Sequence, residues 1–184
     1  MNRANDPSQT SPALDPGDVA VVTWQLGREP RGIAAIAHRC PCGAPDVVAT
    51  MPRLPDGTPF PTTFYATCPR LTAALSGLES DGLMREFQER LAGDAGLAAA
   101  YARAHDAYLA ARDAIAADAG VGPVPEIDGV SAGGMPRRVK CLHALAGHAL
   151  ARGPGVNPVG DATLARLDPW WERHSCVAAC REDG

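Results

Sequence analysis

Four cysteines lie in sequence contexts that could gather sulfur ligands or reactive thiols at one place. Cys40 and Cys42 lie in the run CPCG, Cys68 lies in TCP, and Cys141 lies in KCLH two residues before His143. Thiolates bind zinc and iron–sulfur clusters well because sulfur is soft and carries the negative charge that the cation needs. The same residue type supports catalysis or redox switching once it is deprotonated. The pattern predicts a site and leaves its reaction open.

The spacing of these residues limits which of them can share an ion. Cys40 and Cys42 are one residue apart, so in an extended segment both side chains point the same way. A Cys-Pro step, as at Cys68, is familiar beside cluster ligands. A regular helix beginning at Pro136 would contribute one ligand, because Cys141 and His143 would point more than a right angle apart. The predicted metal ligands are Cys40, Cys42, Cys68 and Cys141, with His143 as a substitute for either Cys42 or Cys141.

Two other interpretations of the cysteines stay open. Cysteine is among the most buried residue types and often serves as a small apolar side chain, in which case His143 would be a core histidine. A thiol-redox role would require at least one cysteine with a depressed pKa. Near the C-terminus, Cys176 and Cys180 have helical spacing and could form a second ligand pair with His174.

The charge pattern favours a small anionic substrate over nucleic acid. The 184 residues carry a net charge of −4, whereas a protein that binds nucleic acid through bulk charge is usually basic. Basic residues near the cysteines could still position an anion. The candidate substrate-binding residues are Arg39, Arg53 and Lys140.

The N-terminus and the cysteine usage predict a cytoplasmic protein. Residues 1–18 are polar and proline-rich and lack the apolar core of a signal peptide. No apolar run approaches the ~20 residues that a membrane span needs. In a reducing compartment, grouped cysteines more often indicate metal or redox chemistry than disulfides.

The elements that must position these residues form an α+β pattern. We predict a small antiparallel sheet in the N-terminal half, packed against a mainly helical C-terminal half. The predicted strands cover residues 33–38, 47–51 and 62–67, with a Pro-Asp-Gly turn between the last two. Residues 19–24 could be either a strand or the start of a helix.

Apolar stripes at helical spacing predict the remaining elements. The predicted helices begin at Pro69, cover residues 83–91 and about 97–119, and begin again at Pro136, while NPVGD at 157–161 is predicted to be a tight turn. Composition divides the chain into a disordered tail at 1–17, a single globular domain at 18–168 and a C-terminal tail at 169–184.

Six ordered motifs carry a resemblance to a known family. They are QLGR at 25–28, RCPCG at 39–43, TPFPT at 58–62, TCP at 67–69, VKCLH at 139–143 and NPVGD at 157–161. From about Val19 to Asp161 the chain resembles the bacterial family catalogued as domain of unknown function 501, in its high-GC actinobacterial form. The resemblance implies Cys40, Cys68, Cys141 and His143 as the core of any site, and it assigns Cys42 to this branch's version of the motif.

The resemblance also implies a setting. Members of the family are commonly encoded near a septum-formation initiator and an exopolyphosphatase, which suggests housekeeping or envelope growth. The expectation is therefore a cytoplasmic protein that binds zinc or an iron–sulfur cluster and acts on a small anionic molecule. The alternatives are a non-catalytic protein with a partner in cell division or envelope growth, which Trp170 and Trp171 could contact, and a thiol-redox protein.

Overall fold

A computed structural model describes residues 14–172, and it has the predicted α+β architecture. The sheet contains β1 (Ile33–Arg39), β2 (Pro45–Thr50) and β3 (Phe64–Ala66), which are antiparallel and lie in the order β1-β2-β3. The described helices are α1 (Pro16–Leu26), α2 (Pro69–Ser80), α3 (Leu83–Gly93), α4 (Ala95–Asp118), α5 (Leu142–Arg152) and α6 (Pro158–Leu164), with a short 3-10 helix at Pro125–Ile127. The predictions for residues 1–13, and those for His174, Cys176 and Cys180, lie outside the described residues.

Helix α1 settles the alternative that the sequence left open at residues 19–24. Asp15 caps the helix because its carboxylate accepts hydrogen bonds from the backbone N–H groups of Gly17 and Asp18. Pro16 occupies the first turn, where its missing N–H has no cost. The helix therefore begins inside the segment that composition assigned to the N-terminal tail.

Strand β2 is the centre of the fold, and all six of its residues are buried. Both α1 and α5 pack against it. The core beneath α5 includes Val47, Ala49 and Phe64, and a Cβ atom at Gly147 would lie 3.2 Å from the Phe64 carbonyl oxygen. Glycine at position 147 thus allows α5 to approach the backbone of β3 closely.

The amphipathic stripes of the helical half are confirmed. Leu71 and Leu75 of α2, Phe87 of α3, and Tyr101 and Tyr108 of α4 are all buried. Helix α2 begins at Pro69, and Cys68 immediately precedes it as predicted.

The prediction of a helix beginning at Pro136 is wrong, because α5 begins at Leu142. Side chains of α3 and α4 hold the backbone of the intervening segment instead. Gln88 donates to the Arg137 carbonyl at 3.2 Å and accepts from the Val139 N–H at 3.1 Å. The Tyr101 hydroxyl donates to the Arg138 carbonyl at 2.9 Å. These tertiary partners satisfy the polar groups that an earlier helix would have used.

The predicted tight turn at 157–161 is also wrong, because this segment begins helix α6. The Asn157 side-chain oxygen accepts a hydrogen bond from the Gly160 N–H at 2.9 Å, which is an N-cap interaction. Pro158 follows at the first helical position. The sequence Asn-Pro therefore starts a helix here.

Across residues 14–172, the helices are too short or too polar for any of them to cross a membrane.

Candidate functional site

Two of the predicted site residues, Cys141 and His143, meet at the N-terminus of α5. Cys141 precedes the helix and has extended backbone angles, φ −157° and ψ 111°, while His143 lies in the first turn. This arrangement brings the Cys141 Sγ to 4.0 Å from the His143 Nδ1. The prediction that the two side chains diverge is wrong, because Cys141 lies outside the helix that contains His143.

Glu79, near the end of α2, is the third member of the site, and sequence reasoning missed it. Its Oε1 accepts a hydrogen bond from the Leu142 N–H at 2.6 Å and lies 3.2 Å from the His143 Nδ1. An acidic residue in the last turn of a helix is unfavourable with respect to the helix dipole. That unfavourable position is the one local signal that could have pointed to a tertiary partner for Glu79.

The other nitrogen of His143 is held by α2. Its Nε2 lies 3.1 Å from the Thr72 carbonyl oxygen and 3.3 Å from the Ser76 Oγ. A carbonyl only accepts hydrogen bonds, so Nε2 must carry a proton to bond to it. The ring is thereby fixed with Nδ1 facing Cys141 and Glu79.

The same contacts shift the pKa values of the pair in opposite directions. The hydrogen bond to Cys141 raises the pKa of His143 to about 9 against the effect of burial, with further support from the Glu79 charge and the Thr72 carbonyl. Burial alone would raise the pKa of the Cys141 thiol, but the His143 hydrogen bond and the Ala144 N–H together lower it below its ordinary value. In the absence of an ion, the pair therefore stabilises the charged form of each group: the imidazolium of His143 and the thiolate of Cys141.

The three side chains also have the donor set and spacing of a metal site. One sulfur, one nitrogen and one carboxylate oxygen lie within 4.8 Å of one another. Tetrahedral zinc with bonds of about 2.0–2.3 Å places its ligand atoms roughly 3.3–3.6 Å apart. The separations of 3.2 Å from Glu79 to His143 and 4.0 Å from Cys141 to His143 differ from these values by a few tenths of an ångström, and the Cys141 Sγ lies within 4.8 Å of the Glu79 carboxylate. The side chains of Glu79 and His143 are 23% and 26% exposed, so solvent reaches the site.

The other predicted ligands lie at one end of the sheet. Cys40 follows β1, Cys42 lies in the loop to β2, and Cys68 follows β3. The Cys42 N–H lies 3.3 Å from the Cys40 Sγ. Burial, together with the neighbouring Cys42 side chain, raises the pKa of Cys40 to about 12. Within residues 14–172, no three-ligand group includes these cysteines, and their role as ligands stays a prediction.

The predicted substrate-binding residues lie elsewhere on the surface. Arg39 forms a two-pronged ion pair with Asp18, which raises its pKa. Arg53 bonds to both carboxylate oxygens of Glu126, at 3.0 Å and 2.8 Å. The Lys140 residue is exposed. An anion would have to compete with a carboxylate at either arginine.

Cys141 and His143 open onto a groove of about 550 Å³. The groove follows β3 and is bounded by the end of α1 and by the loop that contains Ala132 and Gly133. Its lining includes a single phenol, Tyr65, and contains no Lys, Arg, Asp or Glu side chain among the described residues. Cys141 and His143 are therefore the groups in this lining that can carry charge near neutral pH.

The chain belongs to the family described as "Protein of unknown function (DUF501)", whose model matches residues 36–165. The match confirms the family that the ordered motifs predicted, and the actinobacterial branch stays a prediction. It covers β2, β3 and the second half of β1, together with the cysteine-bearing turns and the Glu79–Cys141–His143 group. No curated protein and no solved structure matches the chain significantly.

Proposed function

We propose that this protein binds one zinc ion through Glu79, Cys141 and His143 and uses it to activate water for a hydrolytic reaction. The observation that carries the proposal is the orientation of the His143 ring. Its Nε2 faces the Thr72 carbonyl at 3.1 Å, so its Nδ1 faces the sulfur and the carboxylate. Histidine ligands of metals typically donate their second N–H to a carbonyl or carboxylate in this way.

The donor set favours zinc over an iron–sulfur cluster. Clusters are held mainly by four thiolates, whereas this group supplies one thiolate, one imidazole and one carboxylate. Zinc accepts all three donor types.

We also propose a cytoplasmic location. The site is partly exposed, and a reducing environment would keep its thiol from being oxidised.

Three protein ligands within residues 14–172 leave a fourth coordination position, which is the arrangement of catalytic zinc sites. A zinc ion supplies Lewis acidity and lowers the pKa of a bound water to about 7. The groove beside Cys141 and His143 gives a substrate a route to that position. These features together support a hydrolase over a structural zinc protein, whose site would be closed by a fourth protein ligand.

The test is metal analysis of protein purified without a metal-affinity tag. We expect about one zinc per chain, and we expect Cys141→Ser and His143→Ala each to lose it while keeping the wild-type circular dichroism spectrum. Cys68→Ser is the matched control, because Cys68 lies outside the group and its variant should keep the ion. A folded wild-type chain that takes up no zinc, or a Cys141→Ser variant that binds it as tightly, would refute the proposal.

Thiol chemistry at Cys141 is the second candidate. The observation in its favour is the lowered pKa of Cys141 beside the raised pKa of His143, since the thiolate is the nucleophilic form. In zinc-free protein, alkylation of Cys141 at pH 7 should then be faster than alkylation of an ordinary thiol. Activity of a zinc-free preparation that survives a strong chelator would favour this candidate over the zinc hydrolase.

A further inference from the structure

We propose that the groove beside Cys141 and His143 binds an extended peptide along the free edge of β3, and that peptide bonds are the substrate of the zinc site. The inference rests on the proposed function and adds the substrate class to it. Three features of the groove carry it: the unpaired edge of β3, two unpartnered side-chain oxygens of residues that line the groove, and a lining without Lys, Arg, Asp or Glu among the described residues.

The first feature is the alternation of hydrogen bonds along β3. The Thr67 N–H bonds to the Asp46 carbonyl at 2.9 Å, and the Thr50 N–H bonds to the Thr63 carbonyl at 2.8 Å. In an antiparallel ladder these bonds fix which residues face the partner strand, so the N–H and C=O of Ala66 point away from β2. Strand β3 is the last strand of the sheet, so no further strand pairs with that edge.

Ala66 is only 7% exposed, and neither main-chain group has another hydrogen-bond partner among residues 14–172. Buried main-chain N–H and C=O groups are nearly always paired in native proteins. An extended peptide lying on this edge would supply both partners, as in strand addition to an exposed sheet edge.

The shape of the groove agrees with this placement. Its lining includes the consecutive residues 64–67. Because successive side chains of a strand point to opposite faces, a groove that contacts all of them runs along the edge of the strand. At Phe64 the edge is covered by α5, whose Gly147 packs against the carbonyl. Ala66 lies beyond this covered part of the edge, and it lines the same groove as Cys141 and His143.

The second feature is a pair of buried side-chain oxygens that lack partners among the described residues. These are the Gln25 Oε1 and the Thr67 Oγ1, and both residues line the groove. Gln25 is fixed by its Nε2, which donates to the Pro45 carbonyl at 2.7 Å, so its oxygen is left to accept a hydrogen bond. A peptide N–H is an uncharged donor of the kind that this oxygen requires.

The third feature is the charge of the lining. The groove contains no Lys or Arg among the described residues, and the carboxylate of Glu79 lies beside its Cys141–His143 end, 3.2 Å from the His143 Nδ1. A phosphorylated or carboxylate substrate would bring further negative charge into a groove that offers only zinc to balance it. The uncharged amides of a peptide main chain can form hydrogen bonds with the Ala66 main chain and with the side-chain oxygens of Gln25 and Thr67.

The proposed step is a simple hydrolysis. A water oxygen forms a bond to the carbonyl carbon of the peptide, and the carbon–nitrogen bond breaks. One proton of the water passes to the leaving nitrogen, so that the products are a carboxylic acid and an amine. No oxidant, reductant or second substrate is needed, and zinc in the Glu79–Cys141–His143 group would supply the activation.

The experiment compares wild-type protein with Ala66→Pro, both loaded with one equivalent of zinc. The probe is a pool of acetyl-capped, amide-terminated octapeptides of uncharged residues, and cleavage is followed by mass spectrometry. Proline removes the N–H on the free edge and leaves the ladder bonds at positions 65 and 67 in place. We expect cleavage by the wild type and about a tenfold lower kcat/KM for Ala66→Pro, the size of one lost main-chain hydrogen bond.

Ala66→Gly keeps the edge N–H and should remain within about threefold of the wild type, because it loses only the small Cβ contact. Thr67→Val gives a second, nearly isosteric test if the proline variant fails to fold. It removes the Oγ1 and should lower kcat/KM by about threefold to tenfold with an unchanged zinc content.

The outcomes separate the two proposals. A chain that takes up no zinc refutes the proposed function. A chain that holds one zinc and cleaves no peptide refutes the substrate assignment alone, as does equal cleavage by wild type, Ala66→Pro and Thr67→Val. Hydrolysis of p-nitrophenyl phosphate with no cleavage of peptides would overturn the inference in favour of the anionic substrate expected from the sequence.

Discussion

His148 makes the fold sensitive to acid, because its ring is fully buried in the neutral form. The ring stacks on Phe64 at 5.5 Å and meets Tyr108 edge-on at 5.0 Å. Its Nδ1 lies 3.2 Å from the Nδ2 of Asn157, which is a donor. If Nδ1 carried a proton, two hydrogen-bond donors, His148 Nδ1–H and Asn157 Nδ2–H, would face each other, so the His148 Nδ1 must stay unprotonated.

Burial lowers the pKa of His148 to about 4, with a smaller contribution from the Arg152 charge. The unfolded chain binds this proton near pH 6.5, whereas the native state resists it until about pH 4. Below pH 6.5 the unfolded state therefore holds more protons, and stability falls as the pH falls. The loss is about 1.4 kcal/mol for each pH unit, or about 3 kcal/mol over the whole window.

The assay is urea unfolding of zinc-free protein at several pH values between 7 and 4, for the wild type and for His148→Gln. Glutamine can keep an acceptor for Asn157 but cannot titrate in this range. The difference in unfolding free energy between the two proteins removes the contribution of all other groups, and it should fall by about 3 kcal/mol from pH 7 to pH 4. Parallel curves for the two proteins would refute the reasoning.

Two further predictions concern the packing of α5 and the role of Glu79. Gly160→Ala should destabilise the fold by at least about 1–3 kcal/mol, because the added Cβ would lie 2.2 Å from the Leu145 carbonyl oxygen. Gly77→Ala is the matched control: its Cβ would lie in open space, and the change should stabilise α2 by about 0.5–1 kcal/mol. Thermal unfolding compares the pair, and equal melting temperatures would contradict the predicted clash. Glu79→Gln should weaken zinc binding and also speed alkylation of Cys141 in the zinc-free protein, since the Glu79 charge raises the pKa of that thiol. Metal titration and labelling at pH 7 measure the two effects, and slower labelling would contradict the predicted role of the charge.

Much of the fold follows from local sequence patterns. Short apolar segments predicted all three strands, and apolar stripes predicted α2, α3 and α4 within a few residues of their observed bounds. The error at 157–161 was local, because Asn157 and Pro158 are the N-cap and the first residue of α6, whereas the error at Pro136 has a tertiary cause. Gln88 and Tyr101 hold the segment at 137–139 as a loop, and such partners cannot be read from spacing along the chain.

Only the part of the site that lies in one short sequence segment could be predicted from the sequence. Cys141 and His143 lie in one short motif, and the family resemblance grouped them, although the assumed helix from Pro136 predicted that their side chains diverge. Glu79 is more than sixty positions away and reaches them only because α2 packs beside α5. The expected approach of Cys40, Cys42 and Cys68 to Cys141 depended on the same unknown packing and stays a prediction. In the described residues, the three-ligand group forms between the end of α2 and the N-terminus of α5.

The two proposed functions, zinc binding and thiol chemistry, would use the same three side chains, those of Glu79, Cys141 and His143. In the zinc-free site, the His143 Nδ1 lies 4.0 Å from the Cys141 sulfur and 3.2 Å from the Glu79 carboxylate, and a proton on it offsets negative charge at these groups. Zinc would replace that proton and bring two positive charges to the same position. Glu79 therefore stabilises the zinc state as a ligand, whereas in the zinc-free state it works against the thiolate. A carboxylate that hinders the thiolate fits a metal ligand better than a part of a thiol catalyst, and for that reason the metal function takes precedence.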